Sequence, residues 1–187
     1  MSATSDSIHS ICVFCGAQNA VPQVHLDMAR ELGRDMAKGG KQLVYGGGDC
    51  GLMGQVANGC LEAGGKAVGV FPRSLGRIEA EHKGLTAMHM VDSMHERKQL
   101  MYDHADTFVI LPGGCGTLDE MFEVITWRQI KIHEKHVIIY NYLGYWDHLI
   151  QMLDHMVNVG FAKPETRQFY TVVNTKEELY GLLGLTA

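Results

Sequence analysis

No apolar run in this 187-residue chain approaches the ~20 residues of a membrane span. The first ten residues, Met1 to Ser10, are small and polar, without the basic start and apolar core of a secretory leader. There is no cluster of Lys or Arg, and the formal net charge is −5, which excludes an electrostatic grip on nucleic acid. The five cysteines, Cys12, Cys15, Cys50, Cys60 and Cys115, are odd in number and give only a lone C-x-x-C. Cys12 and Cys15 fall in an apparent strand, where positions three apart point to opposite faces, so buried thiols in a reducing cytosol fit better than a metal framework. The ten histidines show no metal-ligand spacing, and no linker, low-complexity tract or internal repeat divides the chain. These absences predict a loose tail over 1–10 and one domain over 11–187, cytoplasmic, with neither nucleic acid nor membrane as partner.

What is present is an alternation of short apolar runs with amphipathic helical patterns. Strands are expected over 11–15, 42–45, 67–71, 88–91, 107–111, 136–140 and 169–173. Helices are expected over 22–38, 52–63, 94–104, 117–130, 146–159 and 175–183, with Ser93-Met-His-Glu96 at capping-box spacing. Strand–helix alternation through short glycine turns predicts an α/β fold, a doubly wound parallel sheet covered on both faces. Ligands of such sheets bind at the carboxyl ends of the strands.

Two glycine loops lie at such ends. The first, Gly46-Gly47-Gly48-Asp49-Cys50-Gly51, contains G-x-G-x-x-G between a strand and a helix. A dinucleotide site would place an acid at the end of the next strand, but that strand runs into Pro72-Arg73. The glycines therefore read either as close helix–sheet packing or as a nucleotide contact. The second loop organises the chain: Phe108 to Leu111 is an apolar strand, Pro112 breaks it, and Gly113, Gly114, Cys115, Gly116 and Thr117 lead into a helix carrying Asp119 and Glu120. Loop amides at a positive helix end seat an anion without side-chain bulk in the way. A phosphate seat with a carboxylate within a turn is a place for chemistry on a nucleotide or sugar phosphate. The mixed-charge segment 73–84, with Glu79, Glu81 and His82, reads as a loop able to cover a cleft.

Three motifs in order, P-G-G-x-G-T-x-x-E at Pro112–Glu120, G-G-G-x-x-G-L-M-G at Gly46–Gly54 and Met94-His-Glu-Arg-Lys98, resemble the Lonely Guy (LOG) family of cytokinin riboside 5′-monophosphate phosphoribohydrolases. The resemblance spans about Ile11 to Phe161. It implies a Rossmann-like fold, a homodimer, and cleavage of the bond between base and ribose in a nucleoside 5′-monophosphate. By position it assigns Arg97 and Glu120 as the catalytic pair, Gly113 to Thr117 as the phosphate cradle, and Gly47, Glu79, Lys98 and Thr126 as further substrate contacts. Position 119 is Asp where the family commonly has Glu. The family's older label, lysine decarboxylase, names a chemistry that uses pyridoxal phosphate on a lysine, for which the sequence offers no site. No cofactor or metal is expected.

The chemistry suits these groups. Losing a base from C1′ builds positive charge on the sugar, which a carboxylate stabilises while orienting or deprotonating water, as in glycosidases. Glu120 takes that role, and Arg97 anchors substrate and holds Glu120 ionised, since a guanidinium does not give up a proton near neutrality. Each residue has a plainer reading. Thr117-Leu-Asp-Glu120 is itself a capping box, Arg97 fits a solvated helix face, and Cys115 lacks a histidine partner that would make it a nucleophile. Trp127 and Trp146 read as packing or interface residues, and Met53, Met88, Met94 and Met101 as core or as an apolar wall for the base. The competing function is a nucleotide or molybdenum-cofactor carrier on the same fold.

Overall fold

The computed structural model describes residues 8–77 and 79–186. Among them seven strands form one parallel sheet: β1 (Ser10–Phe14), β2 (Gln42–Tyr45), β3 (Ala67–Pro72), β4 (Ala87–Val91), β5 (Thr107–Ile110), β6 (His136–Tyr140) and β7 (Thr171–Val173). Their order across the sheet is β4-β3-β2-β1-β5-β6-β7, every neighbouring pair parallel. Six α-helices accompany them, five between strands and the last after β7: α1 (Gln23–Lys38), α2 (Gly51–Glu62), α3 (Met94–Asp103), α4 (Cys115–Gln129), α5 (Asp147–Asn158) and α6 (Lys176–Leu183). None of them is long and apolar enough to cross a membrane.

The central strands are apolar and buried beyond their first residue because both sheet faces are covered, whereas the edge strands β4 and β7 are only partly buried. Ile11, Val13 and Cys15 point into one core with α1, α2 and α6, whereas Cys12 and Phe14 enter the other with α3, α4 and α5. The two cysteines thus take opposite faces, as their spacing requires, and all five thiols are free. Helices α1 and α2 pack backbone to backbone at two glycines. A Cβ on Gly33 would lie 2.0 Å from the Val56 carbonyl oxygen, and one on Gly59 2.0 Å from that of Arg30.

Residues 1–7 of the expected tail lie outside those described, and order begins before Ile11. Ile8 is buried in the core, and the N–H groups of His9 and Ser10 each donate to the Asp106 carboxylate at 2.8 Å. The order of strands reverses between β1 and β5, where the β1–α1 and β5–α4 connections leave in opposite directions. That switch point opens a crevice at the carboxyl ends of the strands.

Candidate active site

The crevice is a cavity of about 640 Å³. Its floor is the start of α4. The helix opens on Gly114 as N-cap with no side-chain cap, and the first i→i−4 bond runs from Leu118 N–H to the Gly114 carbonyl at 3.1 Å. The amides of Cys115, Gly116 and Thr117 precede that bond and face a cavity they help to line. A Cβ on Gly114 or Gly116 would meet nothing within 4 Å, so these two keep the seat open. Gly113 is crowded instead: a Cβ there would sit 2.1 Å from Thr117 Oγ1 and 2.9 Å from Gly16 N. The loop is braced twice, by Gly16 N–H to the Pro112 carbonyl at 3.0 Å and by the Tyr145 hydroxyl to the Gly113 carbonyl at 2.7 Å.

Since α4 starts at Cys115, Thr117 lies inside the helix, and Glu120 makes no capping bond. Glu120 falls instead on the buried stripe with Thr117, Met121 and Val124, and is 7% exposed. Burial pushes its carboxyl up to about 7, against the pull of Arg97. Arg97 is equally buried, and its Nη1 lies 3.6 Å from Glu120 Oε1. That distance is an ion pair, longer than a hydrogen bond. The guanidinium is fixed by main chain: Nε donates to the Val70 carbonyl at 3.2 Å and Nη2 to the Gly46 carbonyl at 3.3 Å. Arg97 is therefore no solvated helix residue but a cation clamped at the ends of β2 and β3.

The first glycine loop serves these side chains and not a second anion. The amides at the start of α2 are consumed by the β1–α1 loop, Gly51 N–H by Asn19 Oδ1 at 2.7 Å and Leu52 N–H by the Gly16 carbonyl at 2.9 Å. A Cβ on Gly46 would lie 1.9 Å from Arg97 Nη2, and one on Gly48 2.0 Å from Glu79 Oε1. Two glycines of the G-x-G-x-x-G pattern thus make room for charged side chains that reach the cavity over them.

Among the expected contacts, Gly113 to Thr117, Glu79, Arg97 and Glu120 line this one cavity, and Gly47, Lys98 and Thr126 do not. Gly47 is turned away, with φ +79° and its carbonyl accepting from His82 N–H at 2.9 Å. Lys98 Nζ is held by Asp119 at 3.1 Å and Glu123 at 3.0 Å, bonds that outweigh burial and raise its pKa. It ties α3 to α4. Thr126 is exposed farther along α4, on the same face as Phe122. Of the four methionines, Met53 and Met94 line the cavity, Met101 is fully buried core, and Met88 packs over Gly47. Trp127 stacks edge-on against Tyr102 at 5.3 Å, and Trp146 is buried.

The wall facing Arg97 was missed in the sequence. Ala17, Gln18 and Val21 of the β1–α1 loop, His25 of α1 and Tyr145 before α5 all line the cavity. Their types and spacing carry no motif. The one available signal was topological, since a switch point sets the loop after β1 against the loop after β5.

With this geometry in place, the comparisons are specific. A family model described as "Possible lysine decarboxylase" matches residues 53–183. A cytokinin riboside 5′-monophosphate phosphoribohydrolase of Rhodococcoides fascians is 43% identical over 159 residues, covering 84% of this chain and 80% of its own. One of Arabidopsis thaliana is 42% identical over 168 residues, covering 89% and 74%. Among solved structures, the molybdenum cofactor binding protein of Rippkaea orientalis shares 20% identity and a TM-score of 0.72 over 94% of this chain and 95% of that one. At that identity the likeness is one of fold. The extent of the family match and identities above 40% across most of both chains, on a sheet whose switch point carries the P-G-G-x-G-T-x-x-E loop, mean that the chain belongs to the LOG family.

Proposed function

We propose that the protein hydrolyses the N-glycosidic bond of a nucleoside 5′-monophosphate, a cytokinin riboside 5′-monophosphate or AMP, giving free base and ribose 5-phosphate. One observation carries the reading: a buried carboxylate with pKa raised to about 7, 3.6 Å from a clamped arginine, shares a cavity with an open helix N-terminus. The amides of 115–117 take the 5′-phosphate, which fixes the ribose over α4. Glu120 then stabilises the positive charge that develops at C1′ and takes the proton of the attacking water. Arg97 keeps Glu120 oriented and ionisable through Nη1, while Nε and Nη2 are held by main-chain carbonyls.

The apolar wall of Val21, Leu52, Met53 and Met94 supports a base with an apolar N6 substituent over plain adenine. Among the described residues no lysine lines the cavity, so the chemistry in the family model's description has no amine for a pyridoxal Schiff base there. The free thiols support a reducing, cytoplasmic setting. A homodimer is part of the proposal. Phe122, Ile130 and Ile132 expose apolar surface on and just after α4, and Thr126 on that face would reach a substrate only across such an interface.

The test is turnover of nucleoside 5′-monophosphates beside the matching nucleosides. Base release confined to the phosphorylated substrates is expected. Equal release from both would remove the phosphate seat from the account, and binding without release would leave a carrier.

A further inference from the structure

A base leaving from C1′ departs far more readily when a ring nitrogen is protonated, and neither Arg97 nor Glu120 supplies that proton. The cavity holds a second carboxyl. Glu79 reaches it from the connection between β3 and β4, which is strapped across the glycine loop after β2. Asp49 N–H donates to the Ala80 carbonyl at 2.9 Å, His82 N–H donates to the Gly47 carbonyl at 2.9 Å, and Gly48 pairs with Glu81 as an isolated antiparallel bridge. The strap is pinned by the buried His82 ring. Its Nδ1 accepts from Gly84 N–H at 3.1 Å, which leaves Nε2 to donate to Asn58 Oδ1 at 3.1 Å. Glu79 is thereby laid over Gly48, where only a glycine leaves space for it.

Glu79 Oε1 is sealed from solvent and has no hydrogen-bond partner. An ionised carboxylate in that position would leave a charged oxygen unsolvated, whereas a carboxylic acid would not. The groups around it are Arg97 from α3 and the Cys15 thiol and Tyr45 hydroxyl at the ends of β1 and β2. Burial raises the Glu79 carboxyl and Arg97 draws it down, but the ion pair of Arg97 is with Glu120. Of the two carboxyls facing Arg97, Glu79 is thus the one whose buried oxygen has no hydrogen-bonding or ion-pair partner.

We propose that Glu79 is the general acid that protonates the departing base. The inference rests on the hydrolase reading. The C1′–N9 bond breaks with its electron pair going to the base, and the Glu79 O–H passes its proton to a purine ring nitrogen. Water forms the new bond to C1′ and yields its proton to Glu120. Solvent then reprotonates Glu79 and takes the proton from Glu120, so the sum is nucleotide plus water to base plus ribose 5-phosphate.

The test compares wild type, Glu79→Gln and Glu79→Ala on AMP and on 4-nitrophenyl ribofuranoside 5-phosphate, whose phenolate leaves without a proton. A general acid predicts that kcat on AMP falls about 10²-fold or more while kcat on the aryl substrate stays within about threefold. It also predicts that the alkaline limb of the kcat/KM profile on AMP, present in wild type, is absent from Glu79→Gln. That limb decides the matter even if the aryl substrate is a poor one. Equal losses on both substrates would make Glu79 a binding residue only, and AMP turnover retained with the limb intact would remove it from the chemistry; either overturns the proposal. Failure of wild type to release any base would instead overturn the hydrolase reading.

Discussion

Glu120 carries the account at the residue scale, and its burial makes two pH predictions. In the free enzyme it is a working carboxylate only above its raised pKa, so kcat/KM should rise on an acid limb centred near pH 7. That limb should be missing from Glu120→Gln. The folded protein holds the Glu120 proton up to about 7, whereas an unfolded chain releases it near 4.5. Wild type should therefore lose stability relative to Glu120→Gln as pH rises between those values, by roughly 3 kcal/mol at most, with no further change outside the window. Denaturant melts of both proteins from pH 4 to 8 read this directly; a gap independent of pH would mean that Glu120 is not buried as described. Arg97 is tested through its glycine. The Cβ of Gly46→Ala falls 1.9 Å from Nη2 and must displace the guanidinium. A misplacement of that order costs up to about 10²-fold in kcat. A variant of wild-type activity would show that the clamp does not matter.

At the scale of elements, α4 does most to build the site, because its first turn presents open amides to the cavity and its second carries Glu120. Its start was misjudged from sequence by two residues: Thr117 looked like a cap, but glycine at 114 starts the helix without a side-chain bond. The other elements were legible to within one residue, because apolar strands and four-residue periodicity report burial directly. The exception is the last strand, which begins at Thr171 after a single 3₁₀ turn over Pro164–Gln168. Cavity positions were legible where glycine or charge marked them, as at 113–117 and at Arg97. They were not legible where topology alone brings side chains together, as with Gln18, His25 and Tyr145. The α1–α2 contact gives an element-scale prediction. Gly59→Ala pushes a Cβ to 2.0 Å from the Arg30 carbonyl, and backbone cannot rotate aside as a side chain can. The expected cost is about 1–3 kcal/mol, seen as a lower Tm in calorimetry. An unchanged Tm would mean that the helices are free to part.

For the whole molecule, the switch point between β1 and β5 explains why the candidate residues collect in one crevice: the open start of α4, the buried carboxyls and the β1–α1 wall meet there. The second copy is an expectation of the same scale. Ile130 is 60% exposed and Ile132 54% exposed, and both follow the helix that carries Glu120. Sedimentation at micromolar concentration should give twice the 20.7 kDa chain mass, and Ile132→Asp should shift it toward one. A wild-type monomer would remove Thr126 from the site. Hydrolysis by Glu120 is read out by chromatography of products from wild type and Glu120→Gln, given AMP and N6-isopentenyladenosine monophosphate. Free base and ribose 5-phosphate are expected in equal amounts from wild type, faster from the isopentenyl substrate. A folded Glu120→Gln that still binds ribose 5-phosphate is expected to lose about 10²–10⁴ in rate. Substrates that bind wild type and remain intact, or a Glu120→Gln variant that turns over at the wild-type rate, would contradict hydrolysis by Glu120.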